Sequence, residues 1–431
     1  MEPGTPGAPV RFVSALSGHL DPAAAAEHVS ERCGEALGGS PVDLAFLFVS
    51  RPHALALPGI ALTIRRRLGV RCLAALSAEA IVGGEVELEN AAGVSLLAAR
   101  LPGVGITPFA LDDLPPVRDE NDERLDAFAR LAGLGPASRG TFLFADPFSV
   151  PINTLLPAVA RAQRLHRHPD ERLPVPPVLG GLASAAHAPG ENVLILNDRV
   201  LNSGGIGISL TGPIRVEPIV SQGCRGFGPT FIVTAAKGQI IRGLGGRPAA
   251  EALHQAVESL REQDRALLSK GLMLGRVVNE YKDRFGRDDF LIRAIMAIDR
   301  DSGALAVNDL LRVGQTVRFH LRDARTADED LAMLLDKQKL DAPPDAALLF
   351  TCNGRGTRLF DRPHHDASAV ARALSLPESG EERAKGGYQV ERGERPPLPL
   401  AGFFAAGEIG PVGDSVFVHG HTACVAVFRR E

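Results

Sequence analysis

The chain has 431 residues, which is too long for a typical single hydrophobic core, so two or three domains are expected. Its formal charge of −4 at pH 7, with both signs interspersed, provides no basic face for nucleic acid and no polybasic stripe for a membrane. No apolar run approaches the roughly 20 residues that span a bilayer, and five scattered cysteines without a Cys-x-x-Cys pair favour a reducing compartment, so a cytoplasmic protein is expected.

Alternating strands and helices are predicted in the first hundred residues. A helix is expected to begin at Asp21-Pro22, where a side-chain oxygen can cap free N–H groups, and another to end at Gly69. The apolar runs Leu44 to Val49 and Val70 to Leu76 are typical of buried strands. A loop then leads to an acidic strand, Glu85 to Glu89, which is expected to be exposed.

The same order of elements returns twice, from Thr141 and from Ala346. Each copy contains a strand, a polar loop, a helix, a second strand, a small-residue loop and one or two further strands, and the third copy also contains a polar stretch from Pro377 to Arg395. Because the apolar runs are continuous rather than alternating, helices should cover both faces of the sheets. The predicted fold class is therefore α/β with mixed sheets built from repeated strand-helix-strand-strand units.

A different pattern separates the second copy from the third. Ile214 to Asp341 contains alternating strands and hairpin-like turns, and Thr326-Ala-Asp-Glu329 has the sequence of a capping box that begins a helix. This region is interpreted as a β-rich insertion that follows Pro213. The predicted domains are 1–212 with two repeat units, 213–341 with the insertion, and 342–431 with the third unit.

Polar side chains in the loops at the strand ends are the candidate site residues, since ligands bind at such edges. They are Ser77, Glu79, Asp146, Ser149, Ser184, Cys224, Arg225, Cys352, Asn353, Arg355, Glu408, His419 and His421. Three repeats should bring six such loops together around one cleft.

Cys352-Asn-Gly-Arg-Gly356 is the most informative of these loops. Two glycines flank Arg355 directly after a buried strand, so backbone N–H groups and a guanidinium can form an anion-binding nest. A second interpretation is a tight turn whose arginine pairs with a structural carboxylate.

Two further interpretations concern the histidines and cysteines. His419 and His421 would lie on one face of a strand and, with Glu408, would suit a metal, although such pairs also occur without one, and we expect neither metal nor cofactor. Cys352 or Cys224 near these histidines would suit thiolate chemistry, whereas a buried apolar role is the simpler interpretation. His364 and His365 are expected to be exposed, just before a helix capped by Asp366.

Several of these motifs resemble the FIST domains (F-box and intracellular signal transduction). The C-terminal FIST domain is resembled by Cys-Asn-Gly-Arg-Gly at 352–356, Gly-Phe-Phe-Ala-Ala-Gly-Glu-Ile-Gly at 402–410 and His-Gly-His-Thr at 419–422. The N-terminal FIST domain is resembled by Leu-Ser-Ala-Glu at 76–79 with Gly83-Gly84, by Gly180-Gly-Leu-Ala-Ser184 and by Ser221-Gln-Gly-Cys-Arg225. The resemblance extends from about Val42 to Phe428.

The resemblance implies a sensory module for small molecules such as amino acids, often fused to signalling outputs in bacteria and to an F-box in eukaryotes. The chain leaves no room for such a fusion, so the signal is expected to pass to a separate signalling protein. We predict a cleft lined by Ser184, Asn353, Arg355 and Glu408 that holds a small anionic or zwitterionic ligand. The alternatives are an enzyme that uses a Cys/His pair on an acyl or other electrophilic substrate, and a protein-interaction scaffold.

Overall fold

A computed structural model describes residues 9–117, 121–165, 175–375 and 397–431. The predicted polar stretch from Pro377 to Arg395 lies outside the described residues. No helix among the described ranges is long and apolar enough to cross a membrane.

Strands are the commonest elements of the described chain. They are β1 (Arg11–Ser17), β2 (Leu44–Ser50), β3 (Cys72–Ala78), β4 (Ile81–Gly83), β5 (Val86–Leu88), β6 (Val94–Arg100), β7 (Gly105–Ala110), β8 (Ser138–Ala145), β9 (Val178–Leu182), β10 (Leu194–Leu196), β11 (Arg199–Leu201), β12 (Gly205–Thr211), β13 (Ile214–Gln222), β14 (Cys224–Lys237), β15 (Ile240–Leu244), β16 (Arg247–Pro248), β17 (Leu272–Val277), β18 (Phe290–Ile298), β19 (Leu305–Val307), β20 (Thr316–Arg322), β21 (Ala346–Cys352), β22 (Leu400–Ala405), β23 (Glu408–Val412), β24 (Ser415–His419) and β25 (Thr422–Arg430). The helices are α1 (Pro22–Ala36), α2 (Leu57–Leu68), α3 (Leu125–Leu131), α4 (Ile152–Ala162), α5 (Ala249–Glu258), α6 (Glu262–Arg265), α7 (Ala324–Gln338) and α8 (His365–Leu374).

Three six-stranded sheets share one plan. The first sheet has the order β1-β6-β2-β3-β10-β11, the second β7-β12-β8-β9-β23-β24 and the third β13-β25-β21-β22-β4-β5. In each sheet the third and fourth strands are parallel, and every other neighbouring pair is antiparallel. The predicted α/β class with mixed sheets is therefore confirmed.

The last two strands of each sheet come from a different part of the chain. The hairpin β4–β5 extends the third sheet, β10–β11 extends the first, and β23–β24 extends the second. This exchange carries each small-residue loop to the edge of a neighbouring sheet. Residues hundreds of positions apart in the sequence therefore become neighbours.

The expectation that helices cover both faces of the sheets is wrong for the first sheet, because one face of its apolar strands packs on helices and the other packs on the other two sheets. In β2, Phe46 and Phe48 face a core shared by all three sheets, whereas Ala45, Leu47 and Val49 face the helices α1 and α2. The shared core contains phenylalanines from each of the three sheets, and the ring centroids of Phe46 and Phe142 lie 4.9 Å apart. Burying one such side chain is worth about 1.5–3 kcal/mol.

A fourth, seven-stranded sheet is formed by β14 to β20, in the order β14-β20-β17-β18-β19-β15-β16. The preceding strand β13 pairs with β25 in the third sheet, and α7 packs on that sheet through Leu331 and Leu335. The domain boundaries at 212 and 341 remain predictions.

The helix ends show where local sequence signals succeed. Asp21 caps α1 by accepting the N–H of Ala23 at 3.1 Å, and Gly69 ends α2 in the left-handed conformation, as predicted. The capping box predicted at Thr326 is wrong, because Asp323 caps α7 and Thr326 lies in its first turn.

The prediction that Asp366 caps a helix is also wrong. His364, with φ of 62°, precedes α8, and Asp366 lies inside its first turn. The predicted exposure of His365 is wrong as well, since its ring is buried and stacks on Phe360 with centroids 3.4 Å apart.

Candidate functional site

The two predicted serines hold the sheet edges together. The hydroxyl of Ser184 donates to the carbonyl of Phe404 and accepts the N–H of Glu79 at 2.9 Å, and Ser77 Oγ accepts the N–H of Val193 at 2.9 Å. Both side chains are buried, and their hydrogen bonds bring the ends of β3, β9 and β22 together. These two hydroxyls therefore have a structural role, which is to hold the strand ends in place.

The other predicted polar loop has a similar supporting role. Asp146 and Ser149 share a hydrogen bond of 2.7 Å, and Ser149 Oγ also accepts the N–H of Gly204 at 2.8 Å. Asn192 donates to Asp146 at 2.9 Å.

Arg355 is fully buried and already has a carboxylate partner. Its Nε and Nη2 donate to the two carboxylate oxygens of Asp366 at 2.7 and 2.8 Å, and its guanidinium lies 5.2 Å from the Phe360 ring centroid. Thr351 Oγ1 also donates to Asp366, at 2.6 Å. Burial alone would raise the pKa of Asp366, but the charge and hydrogen bonds of Arg355 outweigh it and hold that pKa well below its usual range.

The second interpretation of the 352–356 loop, a tight turn whose arginine pairs with a structural carboxylate, therefore applies to Arg355. The guanidinium holds the loop in place through a bidentate ion pair with Asp366. Its charge is therefore already balanced inside the protein, and a contact between Arg355 and a ligand stays a prediction. Gly356 beside it has φ of 57°, and a Cβ there would lie 2.6 Å from Glu89 Oε1.

Arg225 is likewise engaged by carboxylates, 2.8 Å from Asp264 and 3.2 Å from Asp323. Cys224 is buried at the start of β14, where burial raises the pKa of its thiol to about 12. Neither side chain faces the predicted cleft as a free charge.

The two predicted histidines separate. His419 ends β24, is buried, and has its Nε2 3.0 Å from the carbonyl oxygen of Gly410. His421 lies in the following turn with φ of 63°, so the expected arrangement on one strand face is wrong. Within the described ranges, no group of three or more His, Cys, Asp or Glu side chains is placed to hold a metal ion.

A compact group of polar residues does form at the end of β21. We call it the Cys352 cluster, and its members are Arg322, Cys352, Asn353, Glu408 and His421. The Cys352 thiol accepts the N–H of Gly354 at 3.4 Å, and it lies near the backbone N–H of His421 and the Glu408 carboxyl. A Cβ built on Gly354 would lie 3.1 Å from His421 Nδ1 and 3.5 Å from Arg322 Nη2, so the glycine allows these side chains to approach the loop.

Four buried polar atoms in this cluster have no hydrogen-bond partner among the described residues. They are Arg322 Nε, Asn353 Oδ1, Glu408 Oε1 and His421 Nδ1. The other carboxyl oxygen of Glu408 accepts the N–H of Thr422 at 3.1 Å. A buried polar group without a partner costs about 1–3 kcal/mol, so these four atoms mark the Cys352 cluster as the candidate site.

The electrostatics leave one charge in the cluster. Burial raises the pKa of Glu408 well above its usual value and so favours the neutral carboxyl, which can donate a hydrogen bond. Burial, and next the neighbouring Glu408, raises the pKa of Cys352 to about 12. Burial and the nearby guanidiniums of Arg322 and Arg355 lower the pKa of His421 to about 4. The cluster therefore offers hydrogen bonds and the Arg322 cation rather than a thiolate.

Sequence reasoning found four members of this cluster and missed Arg322. Arg322 ends β20 in the fourth sheet, and it comes near Cys352 because β14 pairs Cys224 with Arg322. No glycine-rich loop or motif in the sequence marks this position.

Comparisons with known proteins match nearly the whole chain. The FIST N domain model matches residues 43–247 and the FIST C domain model matches residues 249–411. The uncharacterized protein Mb0898c of Mycobacterium bovis is 36% identical over 411 residues, which covers 94% of this chain and 95% of the relative. The uncharacterized protein MT0656 of Mycobacterium tuberculosis is 36% identical over 410 residues, covering 94% of this chain and 96% of the relative.

Proposed function

Because the chain belongs to the FIST family, whose domains are sensory domains of signal transduction, we propose that it senses a small anionic or zwitterionic molecule bound in the Cys352 cluster. The observation that carries this proposal is that four residues around the end of β21 each have a buried polar atom without a hydrogen-bond partner among the described residues. A ligand that satisfies them recovers the free energy that their burial costs.

The cluster's chemistry defines the ligand class. Arg322 is half-buried and would take a carboxylate, which is the preferred partner of a guanidinium. Asn353 Oδ1 accepts from an ammonium or a hydroxyl, and the protonated Glu408 donates to an oxygen. An amino acid presents all of these groups.

The same proposal includes a cellular compartment and a downstream partner. All five cysteines are free, which supports a reducing compartment and hence the cytoplasm. A ligand-dependent change in the loops around Cys352 would then be passed to a separate signalling protein.

A thermal-shift screen of amino acids and organic acids at neutral pH tests the proposal. A ligand that binds only the folded chain raises the melting temperature as its concentration increases. The shift should disappear in Arg322→Gln and persist in Arg325→Gln, an exposed arginine three residues away. A shift that survives Arg322→Gln would remove the cluster from the binding site.

Glu408 provides a second arm of the same experiment. Glu408→Gln keeps a hydrogen-bond donor in place of the protonated carboxyl and should retain the shift, whereas Glu408→Leu should abolish it. Equal loss in both variants would contradict a protonated Glu408.

One observation favours the enzyme alternative. The Cys352 sulfur faces two backbone N–H groups, an arrangement that stabilises negative charge on the sulfur of a thiolate nucleophile. Because the pKa of the thiol is raised to about 12, the binding function is better supported.

A further inference from the structure

A separate pocket of about 230 Å³ lies beside the Cys352 cluster, between the fourth sheet and the end of β13. Cys224 lies in its wall, and the adjacent Gly223 donates its N–H to the carbonyl of His421 at 3.1 Å on the cluster side. The segment 222–224 therefore forms a wall between the two. The pocket is smaller than the roughly 300–1,000 Å³ of drug-sized sites and suits a smaller molecule.

The pocket contains a hydrogen-bond acceptor with no protein partner. His320 in β20 is only 4% exposed and lines the pocket. Its Nδ1 lies 3.0 Å from the carbonyl oxygen of Arg318 and must carry the proton, because a carbonyl only accepts. Nε2 is left as a bare acceptor on the side of the pocket-lining Gly226, and none of the hydrogen bonds of the described residues reaches it.

The ring is held in this orientation. Phe290 packs edge-on against His320 with centroids 5.1 Å apart, and burial lowers the pKa of His320 to about 4, so the imidazole is neutral. A neutral acceptor in the wall of a pocket can accept a hydrogen bond from a donor group on a bound molecule.

The charged side chains of the pocket favour an anion. Arg287 and Arg318 line it with one carboxylate, Asp330. Asp330 already accepts the hydroxyl of Ser221 at 2.8 Å and the N–H of Gln222 at 3.0 Å, and lies 3.9 Å from Arg287. The described lining side chains thus carry two positive charges, from Arg287 and Arg318, and one negative charge, from Asp330, so their net charge is positive.

We propose that this pocket is a second small-molecule site, for a monocarboxylate with an apolar body and a hydroxyl or ammonium group. The carboxylate binds Arg287 and Arg318, the hydroxyl or ammonium donates to His320 Nε2, and the apolar body packs on Phe285 and Phe290. The proposal does not rest on ligand binding in the Cys352 cluster.

A matched pair of probes tests the hydrogen bond to His320. 3-Phenyllactate carries the carboxylate, the hydroxyl and an aromatic body, and 3-phenylpropionate lacks only the hydroxyl. Isothermal titration calorimetry should show binding of phenyllactate and about tenfold weaker binding of phenylpropionate, because the buried acceptor then stays without a donor. Absence of phenyllactate binding, or equal affinities for the two acids, would overturn the proposal.

A glycine offers a way to obstruct the pocket. A Cβ at Gly226 would lie 3.2 Å from His320 Nε2 and 3.2 Å from Arg318 Nε, and the φ of Gly226 is not in the left-handed region. Gly226→Ala should weaken phenyllactate binding by about tenfold or more, whereas Gly59→Ala, with open space around it in α2, should leave it unchanged.

Two further variants keep the test decisive. Arg287 is 51% exposed, so Arg287→Gln should fold normally by circular dichroism and still weaken phenyllactate binding. Arg325→Gln, an exposed arginine outside the pocket lining, should leave it unchanged. Loss of phenyllactate binding in Arg322→Gln with retention in Arg287→Gln would assign the probe to the cluster and overturn the second site.

Discussion

Single residues of the 352–358 loop differ sharply in what they contribute to stability. Arg355 and Asp366 are both fully buried, so removal of one leaves an uncompensated charge inside the protein. Arg355→Gln should lower the free energy of unfolding by about 3–5 kcal/mol, measured from the guanidinium chloride midpoint.

Arg358 is the matched control for this prediction. It pairs with Glu79 but is 53% exposed, so Arg358→Gln should cost about 0–1 kcal/mol. Equal destabilisation by the two substitutions would show that the Arg355 pair is not isolated from water.

The reactivity of Cys352 should depend strongly on pH. Among the cysteines that the structure describes, Cys352 alone is partly exposed, and burial of its thiol raises the pKa to about 12. Since only the thiolate reacts, iodoacetamide modification should be slow at pH 7 and rise about tenfold per pH unit up to pH 9. Mass spectrometry of the labelled peptides measures it.

The variant Cys352→Ser should remove nearly all labelling, because the other four cysteines are buried. A labelling rate that is already constant between pH 7 and pH 9 would mean a low thiol pKa, and would favour the enzyme alternative.

The candidate residues show what sequence establishes at this scale. Cys352, Glu408 and His421 could be named because polar residues after buried strands collect at sheet edges. The partner of Arg355 could not, since local sequence does not reveal that Asp366 turns inward from the first turn of α8. Arg322 was missed because its approach depends on pairing between β14 and β20, nearly a hundred residues apart.

At the scale of elements, glutamates of the hairpin β4–β5 bind α8 and the loop that precedes it. Glu85 pairs with Arg372 at 2.9 Å, Glu87 accepts the N–H of Ala367 at 2.9 Å, and Glu89 accepts the N–H of Thr357 at 3.0 Å. The expectation of an exposed acidic strand is therefore wrong for Glu87, which is 3% exposed. Alternation of glutamate with apolar residues is typical of a solvated face, and only the docking of α8 reverses it.

This docking predicts a pH-dependent stability. Burial and the nearby Asp366 raise the pKa of Glu87 from 4.5 to about 8, so the folded chain holds a proton that the unfolded chain has released. The stability contributed by Glu87 is fully present below pH 4.5 and is lost as the pH rises through about 8, at up to about 1.4 kcal/mol per pH unit.

Glu87→Gln removes this titration, so the variant should become increasingly more stable than the wild type between pH 4.5 and pH 8. Denaturant unfolding of both proteins across that range measures the difference. Glu85→Gln on the same hairpin is the control, and its half-exposed ion pair should change stability by about 0–1 kcal/mol. A pH-independent difference for Glu87→Gln would contradict the raised pKa.

At the scale of the whole molecule, the three sheets share one hydrophobic core. Phe48 of the first sheet packs against Phe144, Phe350 and Phe403 of the other two, with ring centroids between 5.1 and 6.5 Å apart. Sequence patterns gave the α/β class because each apolar run is local. They could not give the exchange of hairpins, since nothing near Ile81 specifies pairing with Phe403.

This exchange predicts how the chain responds to division. A fragment of residues 1–212 keeps every strand of the first sheet, but loses β23 and β24 from the second sheet and leaves β4 and β5 without the third. The shared core would lose Phe350, Phe403 and Phe428 and expose a large apolar surface. Alone, the fragment should lack a sharp thermal transition, and co-expression with 213–431 should restore one in a 1:1 complex.

A cut in the fourth sheet is the control for this experiment. The exposed turn from Asp299 to Gly303 lies outside the three-sheet body, so cleavage there should leave the main transition of the full chain in place. The 1–212 fragment could instead unfold alone as sharply as the intact chain. That result would contradict the prediction, because it would show that the sheets of this fragment are stable without the phenylalanines of the third sheet.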